Sequence, residues 1–272
     1  MLTPSRALVR AERGEPLPDV FPILAHRGIR IRRGEVTMIA GQPNAGKSMI
    51  ALFYCLRLID LGERALYFSA DSNESTQGAR MAAIVTGHKT RSIEASLTSG
   101  GLVYYQDALA EIDLRLDFNS NPTLTDIELT LDAYDELYGQ NPSVMVIDNL
   151  MNVEGIDGEN EKAGLIEIQK HLKYWSRDRG MAVLVLHHCS EAEGKPHLPP
   201  GRKAVQQKVS ELPEMILTVA YDEGNSLFGV AAVKNRHGRA DPAAQDPTWL
   251  WADMDTGRFF DDRYAAVIAG AV

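Results

Sequence analysis

Apolar positions along the chain fall into two kinds of run. Short, nearly continuous aliphatic stretches occupy residues 36–40, 65–69, 144–147 and 182–186. Runs of that length, bounded by polar or glycine-containing segments, predict strands buried on both faces. Between them the apolar residues recur at helical spacing, over 48–61, 75–86, 124–137 and 161–179. The last of these places Leu165, Ile168, Leu172 and Trp175 on one face and stops before Gly180. Two further strand-like runs, 215–219 and 227–233, are separated only by a turn containing Asp222-Glu223-Gly224-Asn225, which predicts an antiparallel hairpin at one edge. Strands alternating with helices predict an α/β fold, a mainly parallel twisted sheet flanked by helices. The stretch 190–208, rich in Gly, Pro and Lys and without periodicity, predicts a loop.

Composition narrows the class. With 272 residues and 44% apolar content, one domain of generous size can bury a core. The expected organisation is a lead-in over 1–34, a main domain over 35–262 and a tail over 263–272. The net charge of -9 argues against a uniformly basic nucleic-acid coat, yet leaves a local basic strip open. No apolar run is long enough to cross a bilayer, and the first 16 residues carry no apolar signal core, so a cytoplasmic protein without membrane attachment is expected. Cys55 and Cys189 form neither a metal-type pair nor a disulfide framework. The acidic stretch 107–136 is expected to face solvent.

One motif changes the picture. Gly41-Gln42-Pro43-Asn44-Ala45-Gly46-Lys47-Ser48 follows a strand and opens a helix. This is the arrangement of a P-loop, whose backbone N–H groups converge on phosphate oxygens at a helix N-terminus. Such a string arises by chance in roughly one in a hundred chains of this length, so it is specific. These residues, with Met49, are the expected ATP-binding set. Lys47 would reach the β- and γ-phosphates, and the Ser48 hydroxyl would ligate Mg²⁺. The run 143–147 is an apolar strand that ends in Asp148, placed to hold the Mg²⁺ hydration shell; a strand-end acid can equally cap a helix.

With these motifs in order, the sequence resembles the RecA-like P-loop ATPase core, and within it the motor domain of DnaB-type hexameric replicative helicases. The resemblance spans about 33–238. It implies that Asp71, at the end of the strand 65–69, stands where the family has its catalytic glutamate, with Arg80 at the family's following arginine. Asp is one methylene shorter, so either the water sits differently, or Glu74 does the work, or hydrolysis is slow. A helix cap at Asp71 or Ser72 is the plainer alternative. His188, ending the strand 182–186, aligns with a polar γ-phosphate sensor. Lys195, Arg202, Lys203 and Lys208 fall where the family has a DNA-binding loop. Lys234 and Arg236, in Val233-Lys234-Asn235-Arg236-His237-Gly238, match the family's Lys-x-Arg-x-Gly signature, whose cations reach the ATP of a neighbouring subunit.

The function implied is an ATPase, a helicase or translocase that acts on single-stranded DNA as a hexameric ring. Three alternatives stay open. One is a recombinase-like or accessory ATPase forming filaments on DNA. Another is a nuclease that gathers divalent metals on Asp71, Glu74 and Asp148. The third is a regulatory ATPase with no DNA partner. The resemblance also suggests that an arm over 1–22 grips a neighbouring subunit.

Overall fold

The computed structural model describes residues 14–98, 100–154, 161–190, 197–206 and 209–271. The four continuous apolar runs form the strands β1 (Val36–Gly41), β2 (Ala65–Ser69), β4 (Val144–Asp148) and β5 (Ala182–His188). A short strand β3 (Leu114–Asp117) precedes β4, and β6 (Met215–Asp222), β7 (Leu227–Asn235), β8 (Thr248–Asp253) and β9 (Arg258–Phe260) follow β5. Among the described residues they build one nine-stranded sheet in the order β3-β2-β4-β5-β1-β6-β7-β8-β9. The pairs from β3 to β6 are parallel, and those from β6 to β9 antiparallel. The expected hairpin is the β6–β7 pair, turned by a 3-10 segment at Glu223–Asn225.

Side chains alternate across the strands and supply two cores. On one face Ile39, Tyr67, Val146 and Leu184 pack with Leu52, Phe53 and Leu56 of helix α2 (Lys47–Asp60). On the other, Met38, Phe68, Met145 and Val185 pack against α6 (Leu124–Tyr138) and α7 (Glu161–Arg179). The four residues expected on one face of α7 are all buried there. A Thr123–Asp126 capping box starts α6. Within the acidic stretch, α6 buries Ile127 and Leu131 and leaves Glu128, Asp132, Asp135 and Glu136 exposed.

Helix α3 (Glu74–Thr86) lies against a small satellite core made with α4 (Thr90–Thr98) and α5 (Leu102–Leu109). From residue 14 onward the lead-in packs on this chain's own sheet, with helix α1 (Pro22–His26) and Leu17, Phe21, Ile29 and Ile31 in the first core. Its apolar spacing is responsible, though the charged residues between obscure that spacing in the sequence. Helix α8 (Arg263–Ile268) closes the described chain. No described helix is long and apolar enough to cross a membrane.

Candidate active site

The site is built where β1, β2, β4 and β5 end together. Parallel pairing sets Gly41 beside His188, and Ser69 beside Asp148. All four strand ends therefore open at the same edge of the sheet, where parallel α/β sheets bind ligands. The P-loop runs from β1 into α2. Gly46 caps that helix at φ 84°, a left-handed conformation that glycine adopts without strain. A β-carbon there would also come within 2.9 Å of Met254 Cε and Phe228 Cε2. Gly41 is equally confined, since a β-carbon would approach the Val219 carbonyl oxygen to 2.9 Å.

A cleft of about 400 Å³ lies over this loop. Pro43, Asn44, Gly46, Lys47, Ser48 and Met49 line it from the P-loop side. Asp71, Ser72, Arg80, Asp148, His188 and Met254 line the rest. The structure thus gathers Lys47, Ser48, Asp71, Asp148 and His188 in one place from four separate segments. Lys47 is only 8% exposed, and its ammonium donates to the carbonyls of Gln42 at 2.9 Å and Gly41 at 3.2 Å. Burial lowers its pKa, opposed by the charge of Asp148. Asp148 is 2% exposed and accepts a 2.8 Å hydrogen bond from the Tyr67 hydroxyl. Burial raises its pKa, while hydrogen bonds from Ser48 and Tyr67 pull the other way.

A buried carboxylate touching the Ser48 hydroxyl, beside a buried ammonium, suits a hydrated Mg²⁺ carried on a nucleotide. Ser48 and Asp148 would hold it, and it would neutralise phosphate charge. The residues of this chain would do the rest: Lys47 would meet phosphate oxygens, and the P-loop amides would orient them.

Asp71 is exposed at the cleft, one oxygen accepting a 2.7 Å hydrogen bond from Asn149 Nδ2. The cap of α3 is Asn73, whose side chain accepts from Thr76 N at 2.9 Å. Neither Asp71 nor Ser72 is that cap, which removes the plainer explanation of Asp71. Arg80 projects from α3 and donates to Ser72 Oγ at 3.1 Å. His188 has its pKa lowered by burial and by the charge of Lys47, with Asp71 acting the other way. His187 points elsewhere, to the Gln206 carbonyl at 3.1 Å, as opposite-face geometry demands. Both cysteines are free and buried, and burial pushes each thiol up to about 12.

Lys234 and Arg236 do not line this cleft. Lys234, near the end of β7, donates to the carbonyls of Glu211 at 2.6 Å and Ser210 at 3.0 Å. Arg236 lies 3.7 Å from Glu214. Arg202 reaches the same Ser210 carbonyl at 3.1 Å, and Lys203 is exposed. Lys195 and Lys208 lie outside the described residues. Among the described residues no group of three or more His, Cys, Asp or Glu side chains could hold a metal ion. Asp71, Glu74 and Asp148 therefore do not form the metal-gathering trio that the nuclease alternative needs.

Sequence reasoning missed Tyr67, Asn149 and Met254. Tyr67 reads as another apolar strand position, and Met254 arrives from the β8–β9 turn without any local signal. Asn149 did carry one, being the polar residue directly after the strand-end acid.

A family model described as an AAA domain matches residues 15–194 of the chain. The chain belongs to the AAA domain family. The match begins inside the packed lead-in, in keeping with its place in the core. Among relatives, the Gene 65 protein of Mycobacterium phage L5 is 34% identical over 256 residues, spanning 90% of this chain and 93% of that protein. The DNA repair protein RadA of Mycolicibacterium smegmatis is 24% identical over 250 residues, spanning 88% of this chain and 45% of RadA. Two solved structures share the fold of this AAA domain. One, an isolated ATPase domain, superposes with a TM-score of 0.81 at 16% identity, covering 96% of this chain and 99% of that one. A DnaB-like replicative helicase, described with its interactions with primase, gives 0.79 at 16% identity, covering 96% and 67%. The architecture is the RecA-like P-loop ATPase core that the motifs implied.

Proposed function

We propose that the chain is a Mg²⁺-dependent ATPase that works as a ring-shaped oligomer, a hexamer by likeness of fold, and moves along single-stranded DNA. One observation carries this reading. The cleft gathers a P-loop lysine, a buried acid, a second acid and a histidine, while Lys234 and Arg236 stand outside it. Cations matching a finger signature but absent from their own cleft suit a site completed by a neighbour. In this reading Asp71 takes the proton of the attacking water, His188 senses the γ-phosphate, and Lys234 and Arg236 stabilise charge on the neighbour's nucleotide. Arg202 and Lys203, with Lys195 and Lys208, meet DNA phosphates. ATP binding closes each interface and hydrolysis releases it.

The likeness to a helicase fold and to a DNA repair protein supports a role in DNA metabolism. The likeness to a DNA repair protein also leaves room for a second reading, an accessory ATPase of DNA metabolism, for which we propose assembly as a filament on DNA. The test is ATP hydrolysis with and without single-stranded DNA, alongside unwinding of a forked duplex. Stimulation with unwinding supports the motor. Stimulation without unwinding, with open helical assemblies by electron microscopy, supports the filament. A monomer under every nucleotide condition, unstimulated by DNA, sinks both.

A further inference from the structure

We propose that Asn149 is a positioning residue that fixes the Asp71 carboxylate for attack on ATP; the proposal rests on the assignment of Asp71 as the proton acceptor. Asn149 follows β4 directly and is 3% exposed. Its own Oδ1 accepts a 2.8 Å hydrogen bond from Met151 N. That bond decides which way the amide faces, since an N–H group there would meet another donor. The remaining amide group, Nδ2, donates to Asp71 Oδ2 at 2.7 Å.

The backbone holds both ends of this contact. Ser69 and Asp148 are register partners on adjacent parallel strands, and Ala70 N extends the ladder to the Asp148 carbonyl at 2.8 Å. Asp71 and Asn149 are thereby set a fixed distance apart on neighbouring strand ends. A short acid on an exposed turn has freedom to swing. A buried amide gripping one oxygen removes that freedom and leaves the other oxygen for water. As the water oxygen bonds to the γ-phosphorus, its proton passes to Asp71. The bond from that phosphorus to the bridging oxygen breaks, and its electron pair leaves with ADP. The proton is then released to phosphate or solvent.

The test compares Asn149→Ala and Asn149→Asp in the full chain, alone and combined with Asp71→Ala. Asn149→Asp keeps the shape and the acceptor for Met151 while replacing the donor with a second carboxyl group that repels Asp71. Both single variants should lose about 10- to 100-fold in kcat, the scale of a misplaced reacting group, with KM and binding of a fluorescent non-hydrolysable ATP analogue nearly unchanged. In the Asp71→Ala background, neither should cost anything more. Crystals with the same analogue should show Asp71 in one rotamer in the parent chain and in several in Asn149→Ala. An unchanged kcat, the same loss in the Asp71→Ala background, or an equally ordered Asp71 overturns the proposal. Asp71→Ala hydrolysing at the parent rate overturns the base assignment and this proposal with it. A parent chain without ATPase activity sinks the functional reading alone, and the rotamer comparison still judges the tether.

Discussion

Lys47 and Asp148 are two buried charged side chains of the site, and burial acts against the charged form of each. Both side chains are almost fully enclosed, and burying ionised groups is expensive unless partners offset it. Tyr67, Ser48 and the P-loop carbonyls offset part. The folded carboxyl of Asp148 is raised above its ordinary 3.8, so the native state holds a proton there that the unfolded chain has lost. Stability from this group therefore falls as pH rises from 3.8 through the raised folded pKa. Asp148→Asn should raise stability by about 1 kcal/mol at pH 7, the usual scale of a relieved active-site strain. It should also abolish Mg²⁺-dependent hydrolysis. Melting curves should show the gain shrink as pH falls and vanish well below pH 3.8, where both states are protonated. At this scale the P-loop and Asp148 were legible because each lies in a local pattern. Tyr67 and Asn149 were not, since their roles come from contacts between strands.

At the scale of elements, Glu214 ties together four pieces of the fold. It is 3% exposed, and its carboxylate accepts from Val36 N at 3.1 Å, at the start of β1. Lys173 of α7 pairs with it closely, Arg177 lies at 3.5 Å and Arg236 at 3.7 Å. Removing one member of a buried ion cluster leaves the others uncompensated. Glu214→Ala should cost about 3 kcal/mol in urea unfolding, with Glu214→Gln milder because it keeps an acceptor for Val36. The same neighbourhood sets Lys234. Burial, with Arg202 and Arg236 adding repulsion, lowers its pKa to about 8. If its charge acts on a neighbour's nucleotide, kcat/KM should fall as pH rises through about 8, and Lys234→Arg should remove that limb. The pH-rate profiles of the two proteins check it. Elements were legible where the period was clean, as in β1, β4 and α7. β3 and β9 are short pieces with few apolar positions. β8 alternates buried and half-buried residues over Thr248–Asp253, a two-residue period that its flanking polar turns disguised.

The whole molecule sets the cleft residues apart from the two cations proposed to act on a neighbour's nucleotide. Lys47, Asp71 and Asp148 face one cleft, whereas Lys234 and Arg236 belong to a different edge, beside β6 and the segment gripped by Arg202. The sequence displayed both motifs but not the space between them, which exists only once the sheet order sets β7 two strands beyond β1. If the two groups meet between subunits, damage to each should be complementary. Lys47→Ala spoils the cleft and leaves the cations intact; Arg236→Ala does the reverse. Each variant alone should lose nearly all hydrolysis, the finger alone being worth about 10³- to 10⁵-fold in comparable phosphoryl transfer. Mixed subunits allowed to assemble with single-stranded DNA should regain activity that neither has alone, because some interfaces pair an intact cleft with an intact Arg236. The ATPase rate as a function of mixing ratio should pass through a maximum. A flat line at the level of the separate variants would place Arg236 in the service of its own subunit, and the shared-site reading would fail with it.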